Sequence, residues 1–142
     1  GPADRRRVWP GRRRAYRHVH RYLHTRDCKA KIQVWDCIST ASHIMSSIYK
    51  GADAVIVAID TTNSQALRSI EEWMEEISKS SPQQVKIYLV GTKSDLTESR
   101  AITEEQIRGL VEEMRIGYIE VSSKNGHNVD NLFYRIILKL NY

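Results

Sequence analysis

Residues Val85 to Leu96, reading Val-Lys-Ile-Tyr-Leu-Val-Gly-Thr-Lys-Ser-Asp-Leu, constrain the fold more than any other part of the chain. An apolar run closed by Gly91 is the pattern of a strand covered on both faces, and such strands belong to parallel sheets. The loop after a parallel strand faces the crevice where open α/β sheets take their ligands. Here that loop carries Lys93 and Asp95. A carboxylate so placed can accept two hydrogen bonds from neighbouring N–H groups on a flat ring, and a lysine stem can cover the ring's face. Guanine offers such a donor pair at N1 and N2. Thr92 and Asp95 equally suit an ordinary turn, in which their side chains bond nearby backbone.

The rest of the chain alternates. Ala54 to Ile59 is an uninterrupted apolar run of strand length. Leu67, Ile70, Met74 and Ile77 recur at helical spacing, which predicts an amphipathic helix from Ser64 to Ser80, stopped near Pro82. Thr103-Glu104-Glu105-Gln106 is a capping-box pattern opening a helix with Ile107, Leu110, Val111 and Met114 inward. Asn128 is placed to cap a last helix whose inner residues are Val129, Leu132, Phe133, Ile136, Ile137 and Leu140. Strands alternating with helices predict an α/β, doubly wound, mostly parallel sheet. Tyr16 to Thr25 reads as an edge strand that turns at Asp27-Cys28 into Lys31–Trp35, an antiparallel hairpin. His18, His20 and His24 share one face of that strand, a set that can hold a metal only with further ligands nearby.

Size and charge bound the possibilities. A chain of 142 residues fits one domain with a core of its own. It holds no apolar run of membrane-spanning length and no hydrophobic leader. Two cysteines, Cys28 and Cys37, suggest no disulfide framework. The net charge of +5 is unevenly spread: residues 1 to 31 carry eleven Lys and Arg against two Asp, and the remainder eleven against fifteen acids. Residues 1–14 are therefore expected to be a mobile basic arm preceding a domain over 15–142. Arg5, Arg6, Arg7, Arg12, Arg13 and Arg14 offer phosphate contacts to nucleic acid or anionic lipid, or form a solvated tail.

The Thr92-Lys93-Ser94-Asp95 loop resembles the (Asn/Thr)-Lys-x-Asp guanine-recognition motif of Ras-superfamily small GTPases, and of Rab proteins in particular. Tyr118-Ile119-Glu120-Val121-Ser122-Ser123-Lys124 resembles the strand and Ser-Ala-Lys loop that close over the other side of the base. Trp35-Asp36, Tyr49 to Ala54, Asp60-Thr61-Thr62-Asn63 and Glu72-Trp73 follow the family's order, so the likeness covers roughly Lys31 to Leu140. It implies a small GTPase-like fold, GDP or GTP as ligand, and base contacts from Thr92, Lys93, Asp95, Ser122, Ser123 and Lys124. It also implies Mg2+ near Asp36, effector and regulator proteins as partners, and a role in vesicle traffic or signalling. The implied address is cytoplasmic, peripheral on the cytosolic face of membranes. Family members attach there through prenylated carboxyl-terminal cysteines, which the closing Leu138-Lys139-Leu140-Asn141-Tyr142 does not contain.

The departures bear on mechanism. Phosphate is cradled in the family by Gly-x-x-x-x-Gly-Lys-(Ser/Thr), upstream of the position matching Lys31, and no such sequence occurs here. The family's first strand and helix are missing with it, so either the strands at Ile32 and Ala54 pair directly or something else fills the slot. Where the family has Gly and Gln after the magnesium-directed Asp, this chain has Ser39 and Thr40, and near the expected switch Thr stands Arg14. Charge neutralisation and positioning are nearly all of phosphoryl-transfer catalysis. Negligible GTP hydrolysis is therefore expected. Three readings follow: a Rab-like switch with a degraded nucleotide site, a non-hydrolysing scaffold acting through the surface at Ile44 to Tyr49, and a phosphate binder using the arginine arm.

Overall fold

Ala-Val-Ile-Val-Ala-Ile carries no charge, glycine or proline, and its branched side chains suit a pleated, covered surface. In the computed structural model, which describes residues 16–37, 47–81 and 85–140, these residues form β3 (Ala54–Asp60). Two strands precede it, β1 (Tyr16–His24) and β2 (Lys29–Cys37). After it come α1 (Ala66–Ser80), β4 (Lys86–Thr92), a 3₁₀ turn at Thr97–Ser99, α2 (Glu104–Met114), β5 (Gly117–Glu120) and α3 (Val129–Leu140).

The strands fall into two sheets. β3, β4 and β5 form a parallel sheet in that order, each step crossing over through a helix. β1 and β2 form an antiparallel hairpin, paired from Tyr16 opposite Cys37 to His24 opposite Lys29. The hairpin and the parallel helical sheet are both as expected. The tight turn centres on Arg26-Asp27, one residue earlier than the sequence suggested. It is closed by Thr25 N donating to Cys28 O at 2.8 Å and Cys28 N donating to Thr25 Oγ1 at 3.0 Å. β2 and β3 do not pair. Of the two possibilities left open by the sequence, direct pairing is thereby excluded. Lys86 N donates to Asp53 O and Thr61 N to Thr92 O, so the odd-numbered residues of β3 bond β4. The N–H and C=O groups of Ala54, Ile56 and Ala58 point the other way, along an edge with no strand partner among the described residues.

Each face of the three-stranded sheet has its own core. Val57, Ile59 and Leu89 pack with Ile70 and Ile77 of α1 and Ile107 and Val111 of α2. Tyr88, Val90 and Ile119 pack on the opposite face with Leu132 and Ile136 of α3. Helices thus cover both faces of a parallel sheet, the doubly wound arrangement. The capping box at Thr103 forms in full, Thr103 Oγ1 accepting from Gln106 N while the Gln106 side chain accepts from Thr103 N. α1 begins two residues later than its spacing implied, because Asn63 Oδ1 accepts from Gln65 N and holds that segment in a side-chain turn.

Candidate functional site

The crevice at the carboxyl ends of β3, β4 and β5 is built on close backbone approach. Gly91 is near the end of β4, where a Cβ would meet the Tyr118 hydroxyl at 2.7 Å and Thr61 Cγ2 at 3.0 Å. Only a residue without a side chain lets these strand ends converge. Thr61 is almost completely buried and ties three segments together. Its hydroxyl donates to Thr92 O at 2.8 Å, and its carbonyl accepts from Ala101 N and Ile102 N. The Thr92 hydroxyl donates to Ile59 O at 3.1 Å, so this candidate side chain cross-links β4 to β3.

The two loops singled out in the sequence meet. Val121 N donates to Gly91 O and Ser94 N to Val121 O. Ser122, fully buried, donates its hydroxyl to Asp95 Oδ1 at 2.7 Å. The same hydroxyl accepts from Asn125 N, and Gly126 N donates to Ser122 O, which closes the loop after β5. Asp95 is half-buried and fixed from one side, leaving lone pairs on its carboxylate for a ligand's N–H groups. Ser123 and Lys124 are exposed at the rim of that loop. Asn128, with φ 58, donates its carboxamide to Glu120 O and accepts from Asn131 Nδ2, anchoring the start of α3 to the end of β5.

Lys93 adopts φ 60 and reaches back to β3, its Nζ 2.7 Å from Asp60 Oδ2. Asp60 Oδ1 accepts from Thr62 N and Thr62 Oγ1. Bonding to Lys93, then to Thr62, pulls the Asp60 carboxyl down to about 2. A second ion pair lies at the end of β5. Arg100 Nη1 and Nη2 bind the two oxygens of Glu120 at 2.6 and 2.5 Å, and the Tyr118 hydroxyl donates to the same carboxylate. The Arg100 contact holds Glu120 below its ordinary value, and burial raises Tyr118 well above its own. Neither the Asp60–Lys93 pair nor the Arg100–Glu120–Tyr118 group was singled out from sequence. The readable signal was an acid as the last residue of each of two strands, Asp60 and Glu120.

Asp36 is elsewhere, exposed as the penultimate residue of β2. Among the described residues no group of three or more His, Cys, Asp and Glu side chains is placed to hold a metal ion. Asp36, His20 and His24 therefore belong to no such group among the described residues. Asp95 and the polar loop around Ser122 offer hydrogen-bond acceptors at the crevice. Ser39, Thr40, Ile44 to Ser46 and the six arginines of the arm lie outside the described residues. No helix among the described residues is long and apolar enough to cross a membrane.

Comparison with known proteins agrees with this geometry. The family model described as Ras family matches residues 16–142. Ras-related protein RABD2a of Arabidopsis thaliana is 36% identical over 105 residues, covering 72% of this chain and 52% of that protein. GTP-binding protein YPTM2 of Zea mays is 34% identical over the same shares. Ras-related protein SEC4 of Candida albicans is 28% identical over 118 residues, covering 82% of this chain and 56% of its own length. The chain spans about half the length of the curated relatives it matches. Its parallel sheet with helices on both faces, its hairpin and the joined loops after β4 and β5 agree with these matches: the chain belongs to the Ras superfamily of small GTPases, as a Rab-like member.

Proposed function

We propose that these 142 residues form a guanine-binding, non-hydrolysing Rab-like domain that acts with effector and regulator proteins on the cytosolic side of membrane traffic. The observation that carries the reading is the 2.7 Å bond from Ser122 to Asp95, which brings the two base-side loops into one crevice. Asp95 accepts the ring's N–H pair, the Lys93 stem covers one face, and Ser122-Ser123-Lys124 close the other side. Thr92 holds the strand ends at the right separation. Within residues 1–142 there is no Gly-x-x-x-x-Gly-Lys sequence to gather phosphate oxygens, and Ser39 and Thr40 stand where the family has Gly and Gln. The chemical step loses both charge neutralisation and positioning, so turnover falls towards the uncatalysed rate. Titration with GDP, with adenosine diphosphate as control, tests the reading. Guanine-selective binding that is lost in Asp95→Ala supports it, and equal affinity for the two nucleotides contradicts it. A single-turnover GTP assay tests the second half, because release of phosphate well above the spontaneous rate contradicts the inactivity.

A further inference from the structure

β5 closes the parallel sheet on the side away from β3, with no strand beyond it among the described residues. Val121 N donates to Gly91 O and Ser94 N to Val121 O, so the odd-numbered residues here bond towards β4. Tyr118 and Glu120 therefore turn their N–H and C=O groups outward. The Asn128 carboxamide agrees with that direction, since it donates to Glu120 O from the outer side. The edge thus presents the Tyr118 N–H and C=O and the Glu120 N–H, a short template for another strand.

Two clefts border this edge, and Tyr118 and Arg135 line both. One, of about 460 Å³, lies at the Glu120 end and is lined by Arg108 of α2 as well as Arg135 of α3. The other, of about 260 Å³, lies at the Gly117 end against Tyr88 and the exposed Leu138, and is largely apolar. The charges around them do not cancel. Glu104 is bound to Arg108 and Glu120 to Arg100, whereas Arg135 and Lys139 have no carboxylate partner among the described residues. A second copy of β5 laid along this edge brings the same cations with it, and like charges disfavour that pairing. An acidic strand is favoured.

We propose that the outer edge of β5 docks an extended segment of a partner protein as an added antiparallel strand, one that carries an acidic residue two positions before a bulky apolar one. The middle residue of the three lies opposite Tyr118 and exchanges both backbone bonds with it. Its neighbours then lie beside Ile119 and Gly117, on the face that α3 covers, where Ile119 packs with Leu132 and the Tyr88 ring lies against Gly117. Residues two apart on a strand share a face and sit about 7 Å apart. The acid therefore reaches Arg135, and the apolar side chain enters the cleft beside Leu138. Backbone bonds fix the register and the two clefts choose the sequence. This surface stands independently of the guanine reading.

The test is titration of the isotope-labelled 142-residue chain with the synthetic peptide acetyl-Ser-Thr-Glu-Val-Leu-Thr-Ser-amide, followed amide by amide. The Tyr118 and Glu120 N–H signals should shift and gain exchange protection, while those of Gly117 and Ile119, already directed at β4, change little. Proline in place of the peptide's Val removes the N–H opposite Tyr118 and should abolish binding. The exposed Arg135, changed as Arg135→Glu, should weaken binding roughly fivefold to tenfold. A peptide with Lys in place of Glu should then bind that variant better than wild type, a rescue that a merely structural role for Arg135 does not give. Binding that leaves the Tyr118 and Glu120 amides unmoved, or that tolerates the proline, overturns the proposal. So does absence of binding up to the solubility of the peptide. Protection at Tyr118 that rises with protein concentration alone overturns it too, because a second copy then fills the edge.

Discussion

The hairpin and the three-stranded sheet are made of similar residues and are held together differently. Each strand of the hairpin has nine residues in unbroken register, longer than any strand of the sheet. Yet Val19, Tyr22 and Trp35 stay exposed, and of its described side chains Leu23 alone is buried. The sheet's shorter strands are sandwiched between two apolar cores. Backbone pairing defines a strand, but burial makes it stable, and an isolated two-stranded ribbon is marginal in water. Arg21 and Cys37 moor the hairpin to the rest of the fold. Arg21 pairs with Asp130 and lies 4.9 Å over the Phe133 ring of α3. Cys37 packs against the first core beside Tyr49, whose hydroxyl is pushed up to about 12 by burial.

The contrast can be tested by perturbing each region, and the largest effect should come from the sheet. Leu89 is fully buried, so Leu89→Ala should cost about 3 kcal/mol in urea unfolding, through lost burial and the cavity left behind. A loss below about 1 kcal/mol would mean the two regions are equally loose. Glu120→Gln comes next. It leaves the half-buried Arg100 guanidinium without its countercharge and should cost about 2 kcal/mol at pH 7.

The same pair sets an acid dependence. Because the folded carboxyl is held below its ordinary 4.5, its stabilisation is complete above that pH and fades as pH falls through it towards the folded value. Glu120→Gln should flatten this part of the acid-unfolding curve. Gly91→Ala should cost about 1.5 kcal/mol, since the new methyl presses the Tyr118 hydroxyl off Glu120. Tyrosine absorbance and the unfolding midpoint together would record it.

Smallest is Arg21→Ala. An exposed ion pair with a ring contact contributes up to about 1 kcal/mol. The expected signature is local: faster hydrogen exchange in β1 and β2 with the global unfolding midpoint nearly unchanged. If the midpoint drops as far as for Leu89→Ala, the hairpin is integral to the core and the distinction fails.

How far the sequence reveals this molecule depends on how local each cause is. Period and capping are local, so β3, β4, α2 and the hairpin could be read directly, down to the reciprocal bonds of Thr103 and Gln106. The meeting of Asp95 with Ser122, 27 residues apart, became readable only through the likeness of both loops to one family. Strand pairing was harder: whether β2 would join β3 depends on contacts far apart in the chain that no window of sequence contains. The Lys93–Asp60 bond was hidden for a related reason. It spans 33 positions and depends on Lys93 taking a left-handed backbone conformation that a non-glycine residue rarely adopts. The start of α1 was misjudged because Asn63 bonds its own loop.

No strand among the described residues covers the far flank of β3, and this writes an odd–even code into solvent access. Amide protons at Val55, Val57 and Ile59 are clasped by β4, while those at Ala54, Ile56 and Ala58 face outward. Deuterium should therefore enter every second residue of a single strand, a zipper with teeth on one side.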